Sequence, residues 1–148
     1  QVSAFAAGVL GDTGVESAEA VSALVRELRP DCVVAVDALA ARKPGRVCNA
    51  LQLSDSGIVP GSGVGNSRQE FSRRTLGVPV IAVGVPTVVD AISLFRQAEL
   101  ELDVPRGVLV TMQDVDTRVR EMGRLVGYSC DLALHRGLSL GEIPAFLS

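Results

Sequence analysis

Cys32-Val33-Val34-Ala35-Val36, followed at once by Asp37, and Val78-Pro79-Val80-Ile81-Ala82-Val83 are the two stretches on which the fold turns. Both are nearly unbroken apolar runs rich in β-branched residues. A strand with one wet face alternates apolar and polar residues, whereas a strand covered on both faces does not. The two runs therefore predict buried strands. Upstream of the first, Val15, Ala18, Val21, Ser22, Val25 and Leu28 recur at helical spacing, which predicts a helix over 15–28. Arg26 and Arg29 sit where cations suit the end of the helix dipole, and Pro30-Asp31 stops the helix.

Downstream, residues 47–53 read as a strand and residues 54–66 as a long Gly/Ser/Pro loop. A short polar helix is expected over 68–75, a helix over 87–100 and a short strand over 108–111. Residues 113–134 read as a long amphipathic helix with Val115, Val119, Met122, Val126 and Leu132 on its inner stripe. A last helix over 139–147 would begin at Ser139, with Glu142 three positions on in a capping-box pattern. Strands alternating with helices predict an α/β fold, with a parallel or mixed sheet covered on both faces. No repeat or linker divides the sequence, so residues 1–148 are expected to form a single domain.

Composition narrows the function. The 148 residues are 47% hydrophobic and carry a net charge of -3, which excludes a disordered chain and argues against a nucleic-acid-binding surface. Lys43 is the only lysine, a bias read as genome composition. Aromatics make up 3%, too few for base-stacking platforms. Cys32, Cys48 and Cys130 form no CxxC pair, so neither a zinc site nor a disulfide framework is expected. Cys32 and Cys48 read as small core residues in a reducing compartment. Residues 1–10 are apolar but lack the basic start of a secretory leader. Residues 76–95 have the length of a membrane span, but Pro79, Gly84, Pro86 and Asp90 predict strand, turn and helix instead. No membrane partner is expected.

Chemistry in such sheets gathers where strands end. Asp37 is the first candidate, because a carboxylate beside an apolar strand is costly unless paired, solvated or protonated. Its plainer reading is a cap on the next turn. Gly61, Gly63 and Gly65 suggest a phosphate cradle, but the spacing is GxGxG rather than GxGxxG and no P-loop lysine follows. A loop that lets an extended ligand backbone approach fits as well. Asp55-Ser56-Gly57 matches the tripeptide of retropepsin-like proteases, but outside an all-β setting. His135 is the only histidine, so no His-based metal site is expected, and no GxSxG nucleophile elbow is present.

Longer strings carry more. Asp37-Ala38-Leu39-Ala40-Ala41-Arg42, Leu53-Ser54-Asp55-Ser56-Gly57-Ile58-Val59-Pro60-Gly61-Ser62-Gly63-Val64-Gly65-Asn66, and Gly84-Val85-Pro86-Thr87-Val88-Val89-Asp90-Ala91 resemble the germination proteases of endospore-forming bacteria. Gly8-Val9-Leu10-Gly11-Asp12-Thr13-Gly14-Val15-Glu16-Ser17 fits that family's preceding segment, and residues 109–135 fit its C-terminal region. Ser56 stands where the family more often has Thr, and Val59 where it often has His.

The resemblance implies an α/β/α three-layer sandwich similar to the hydrogenase-maturation proteases (phosphorylase/hydrogenase-like). Residues 1–148 would be the C-terminal portion of a longer pattern, and the first strand of the sandwich would be missing. It implies an aspartic-type endopeptidase that degrades small acid-soluble spore proteins at germination. It further implies a zymogen, a homotetramer and a cytoplasmic location in the spore core; from the residues themselves no cofactor or metal is expected. One catalytic carboxylate would be Asp37. The other would lie in a Thr-Pro-Asp-Ala-Leu-Gly-Pro-like motif that these residues do not contain, with Asp55 as a lesser candidate for a supporting acid. Arg42, Ser62 and Asn66 are candidates for holding the substrate peptide, although Arg42 also reads as a plain surface residue. Two other classes stay open: a non-catalytic structural or oligomerising remnant of the fold, and a metal-dependent processing peptidase.

Overall fold

The computed structural model describes residues 1–6, 8, 16–61, 69–100, 103–139 and 141–142. In chain order its elements are α1 (Ser17–Leu28), β1 (Val33–Ala41), β2 (Gln52–Ser54), α2 (Arg73–Leu76), β3 (Val80–Asp90), α3 (Ala91–Gln97), β4 (Leu109–Val110) and α4 (Val115–Leu134). The architecture is mixed α/β, built on a four-stranded sheet. β3 is its central strand, and β1 lies parallel to it at one edge of the described sheet, in register from Val33 against Val80 to Ala41 against Val89. β2 and β4 run antiparallel to β3 along its other edge.

Both apolar runs become strands, but both strands are longer than their sequence suggests. β1 continues through Ala38-Leu39-Ala40-Ala41, so Asp37 lies in mid-strand and not at the strand's carboxyl end. β3 continues through Gly84, Pro86 and Thr87 to Asp90, where a helix start was expected at Thr87. Pro86 has no N–H to give to a ladder, and the β1–β3 register slips by one residue between Leu39 and Ala40, opposite Pro86 and Val88. A bulge is where a sheet tolerates proline. The Pro86 carbonyl still accepts the Cys48 N–H at 2.7 Å. Residues 47–53 contribute only the short β2; Val47 and Cys48 are buried in the turn before it.

Residues 5–113 form one compact unit. Its core lies on one face of the sheet, where Ala18 of α1 joins Ala35, Val80 and Ala82 of the strands with Ile58, Phe71 and Leu76. Fully burying a side chain of Val or Leu size stabilises by about 1.5–3 kcal/mol, so this cluster is what fixes the register. α1 ends as Arg29 turns left-handed (φ 47°) and returns its N–H to the Val25 carbonyl. The opposite face of the sheet carries Val36 (53% exposed), Ile81 (45%) and Leu53 (74%) beside the buried Val83 and Val85. Cys32 is exposed, contrary to its reading as a core residue: it precedes β1 instead of entering it. Cys48 is buried as expected.

Residues 1–4 and 114–148 form the second unit, dominated by α4. Val126 is buried and Val115, Met122 and Leu132 are half-buried, whereas Val119, placed on the same stripe by its spacing, is 41% exposed. The expected terminal helix lies mostly outside the described residues; Gly141 and Glu142 are in a turn, and Ser139 and Glu142 are joined. Ser139 N–H and Oγ–H both donate to Glu142 Oε2, at 2.9 and 2.6 Å. These bonds hold the Glu142 carboxyl below its ordinary value of 4.5. The stability this cap contributes is present above the ordinary value and lost as pH falls through the lowered one. An NMR titration should therefore find the Ser139 amide resonance moving with a midpoint below 4.5, and Glu142→Gln should abolish that transition.

Candidate active site

The site is built around Asp37. In β1, Ala35, Asp37 and Leu39 point to the core face, because alternate residues of a strand share a face. Gly84 of β3 is the register partner of Asp37 on one side and of Gln52 of β2 on the other. Gln52, Gly84 and Asp37 thus form one row across three strands, and the middle of the row has no side chain. Asp37 is half-buried, and its Oδ2 accepts the Gly61 backbone N–H at 3.1 Å. This bond joins the strand to the start of the glycine loop, 24 residues away.

Beside this row lies an open cleft of about 330 Å³. Leu39, Ile58, Val59 and Ala82 give it apolar walls; Gln52 and Ser54 give it a polar edge. Gly57 and Gly84 complete the lining. Three of its boundaries are neighbours of Asp37: Leu39 two residues along the strand, Gly84 across the ladder, and Val59 two residues before Gly61. The cleft is at the lower end of the range for small-molecule sites, about 300–1,000 Å³.

The other candidates are placed differently. Asp55 is exposed in the bend after β2, and no hydrogen bond joins it to Asp37 among the described residues. Ser54 and Ser56 close that bend instead, with Oγ atoms 2.6 Å apart. Arg42 is exposed just beyond β1, and its carbonyl accepts Gln97 Nε2 at 2.6 Å. Ser62 and Asn66 lie outside the described residues. So the fold brings Asp37 to the first residue of the glycine loop, as the capping reading requires, and sets it next to residues that line the cleft without being part of that lining. Leu39, Gln52 and Gly84 were not singled out from the sequence. The available signal was Gly84 itself, a glycine inside a β-branched run, which marks a close approach.

Among the described residues no three His, Cys, Asp or Glu side chains are grouped to hold a metal ion, and no helix is long and apolar enough to cross a membrane.

The sequence is similar to known proteins. A germination protease of Clostridium acetobutylicum is 37% identical over 182 aligned positions, which cover 99% of this chain and 56% of that protein. Germination proteases of Bacillus velezensis and Bacillus subtilis are 58% and 57% identical over 93 positions, 63% of this chain and 25% of theirs. The chain therefore spans about half the length of the first of these relatives and a smaller share is matched in the others. The germination protease pattern matches residues 1–100, which include Asp37, the cleft and the glycine loop, and the chain belongs to the germination protease family.

Proposed function

We propose that this chain carries one half of an aspartate-based peptidase site and the peptide cleft beside it, within a protein that degrades small acid-soluble spore proteins at germination. The observation that supports it most is the half-buried Asp37 carboxylate set in mid-strand beside a cleft, in a chain of the germination protease family. A carboxylate pair hydrolyses peptides when one member, ionised, takes a proton from water while the other supplies a proton to the carbonyl or leaving amine. In Asp37, the Gly61 N–H fixes Oδ2 and so orients the group. A fixed, partly desolvated carboxylate is pre-set for proton transfer at no reorganisation cost.

The second carboxylate would come from the Pro-Asp-Ala-Leu motif of the full protein, with Asp55 the lesser candidate. Arg42, Ser62 and Asn66 would hold the substrate backbone or an acidic side chain. The three-layer sandwich of the hydrogenase-maturation proteases, a zymogen stage, assembly as a homotetramer and a place in the spore core complete the reading. The exposed apolar row of Val36, Ile81 and Leu53 is consistent with burial against further protein.

The test is incubation of the full-length protein with a purified small acid-soluble spore protein, read by mass spectrometry. The expected result is cleavage at few sites, unchanged by a chelator. Loss of cleavage on chelation would replace the aspartate mechanism with a metal-dependent one. A folded protein that never cuts would leave the structural role.

A further inference from the structure

The connection from β1 to β2 carries Arg42, Lys43 and Arg46, all exposed, and no Asp or Glu occurs between Asp37 and Asp55. Pro44–Arg46 is one 3-10 turn, closed by Arg46 N–H on the Lys43 carbonyl at 3.1 Å. Side chains three apart on such a turn eclipse one another, so Lys43 and Arg46 rise from one side of it. The turn is fixed to the core. Val47 and Cys48 behind it are buried, Cys48 N–H bonds to the Pro86 carbonyl at 2.7 Å, and Asn49 Nδ2 donates to the Gly45 carbonyl at 3.3 Å. Gln97 Nε2 donates to the Arg42 carbonyl at 2.6 Å, which brings the end of α3 and its exposed Arg96 to the same place. Arg96 also suits the dipole in the last turn of a helix, so the three cations of the turn carry the argument. Like charges this close repel, and no carboxylate offsets them: among the described residues the ion pairs are Arg74–Glu70 and Arg118–Asp114. Asp90 follows Val89, the register partner of Ala41, and so stands next to Arg42, but its Oδ2 already accepts Ser93 N–H and Oγ–H at 2.9 and 3.0 Å. Glu99, three residues past Arg96, is exposed and outside both ion pairs.

We propose that Arg42, Lys43, Arg46 and Arg96 form a docking site for an acidic stretch of the polypeptide substrate, outside the cleft and at a distance from the bond that is cut. The inference rests on the peptidase reading above. Both parallel strands end here, β1 at Ala41 and β3 at Asp90, and the carboxyl ends of parallel strands are where α/β sheets bind ligands. Guanidinium groups suit carboxylates, which they grip through two N–H bonds at once. From Asp37 to Arg42 is five residues of chain, about 16 Å at the rise of a strand. The acidic stretch therefore lies about five extended residues from a bond held at Asp37, beyond the residues that flank it. The chain as a whole carries a net charge of -3, so the patch gives an acidic segment a place to land. Such a patch steers and holds an oppositely charged segment without touching the chemical step, and its effect fades with salt. No aromatic residue stands within residues 42–49 to stack a base, and the net charge is negative, which favours a polypeptide over a nucleic acid.

The experiment uses the full-length protein and peptides that share one cleavable segment, extended at either end by Glu-Glu-Ala-Glu-Glu-Ala or by Gln-Gln-Ala-Gln-Gln-Ala. At one of the two ends the wild-type KM is expected to be about 10-fold lower for the Glu extension, with kcat alike, an exposed ion pair being worth about 1.5- to 5-fold. That preference should shrink as salt rises from about 0.01 to 0.1 M and the Debye length falls from about 30 to 10 Å. In Lys43→Gln/Arg46→Gln/Arg96→Gln it should fall to about twofold or less. The charge-matched control Arg118→Gln/Arg120→Gln/Arg124→Gln, on α4, should keep it. A preference lost equally in both variants is an effect of net charge and overturns the proposal, as does an equal wild-type KM for the Glu and Gln extensions at both ends; either leaves the peptidase reading in place. Fluorescence anisotropy of the labelled Glu peptides reads binding without turnover. Binding that depends on Lys43, Arg46 and Arg96 in a protein that cuts no peptide supports the docking site and removes the peptidase reading. Binding of a DNA duplex through those residues, without binding of the Glu peptides, overturns the proposal in favour of nucleic acid. Neither binding nor cleavage removes both readings.

Discussion

Asp37→Asn in the full-length protein is expected to lower kcat by about 10²–10⁴-fold, the contribution of a positioned acid or base, while KM changes little. That loss corresponds to about 2.7–5.5 kcal/mol of transition-state stabilisation. The fold should survive, because the asparagine carbonyl can still accept the Gly61 N–H that Asp37 Oδ2 accepts now at 3.1 Å. The substitution therefore separates the two readings of this residue. As a cap alone, Asp37 contributes one hydrogen bond, and its replacement would cost at most about 1–2 kcal/mol of stability with turnover near normal. As a catalytic carboxylate, it would lose turnover by orders of magnitude at nearly constant melting temperature. Asp55→Asn is the companion measurement. Asp55 is exposed and makes no bond to Asp37 among the described residues, so its change should stay within tenfold. A loss equal to that of Asp37→Asn would make Asp55 the second acid.

How far the sequence is legible can be followed along β1 and β3. Cys32 to Val36 announces a strand because β-branched residues fit a pleated, covered surface. Ala38-Leu39-Ala40-Ala41 does not, because alanine and leucine favour helix. They are strand here because β3 pairs alongside them, with one slip between Leu39 and Ala40, and tertiary pairing overrides local preference. Gly84 and Pro86 read as breakers for the same reason. Which neighbour would excuse them, a leucine crossing over the glycine and a bulge opposite the proline, is a long-range fact that local pattern does not hold. The candidate site divides in the same way. Asp37 could be found, since a lone carboxylate in an apolar run stands out. The cleft could not, because Leu39, Gln52 and Gly84 come from three strands whose order no local signal specifies. The Asp37–Gly61 bond was within reach as a type, a carboxylate capping a turn, but its partner lies 24 residues on. Cys32 shows the reverse failure: adjacency to an apolar run was taken for membership of it.

The second large effect concerns stability, and it falls on Gly57 of the Asp55-Ser56-Gly57 tripeptide. Gly57 has φ +99°, where an L side chain is strained, and a Cβ there would overlap the Phe71 carbonyl oxygen and stand 2.8 Å from Ser72 Cβ. Neither obstacle is the movable end of a long side chain. The same Phe71 oxygen accepts the Ile58 N–H at 2.9 Å, and Ile58 returns the bond from Phe71 N–H at 2.7 Å. This bridge ties the loop to the buried pair Ile58 and Phe71 in the core. Gly57→Ala is therefore expected to cost about 1–2 kcal/mol for the left-handed backbone and about 1 kcal/mol for each weakened bond, roughly 2–4 kcal/mol in all. For a chain of this size that is a fall of about 5–15 °C in Tm. Two other glycines resolve the contributions. Gly77 has φ +77° but open space around a built Cβ, so Gly77→Ala should show the backbone cost alone, about 1 kcal/mol. Gly123, inside α4, has neither strain nor a neighbour within 4 Å, and Gly123→Ala should stabilise by about 0.5–1 kcal/mol. Calorimetry of the three variants should therefore rank Gly57→Ala lowest, Gly77→Ala next and Gly123→Ala above the parent. If Gly57→Ala melts with Gly77→Ala, the Phe71 bridge does not resist the added methyl, and the glycine of this tripeptide is required by φ alone. If it melts with the parent but cleaves poorly, the glycine serves the cleft and not the core, which would move the Asp55 loop into the catalytic machinery.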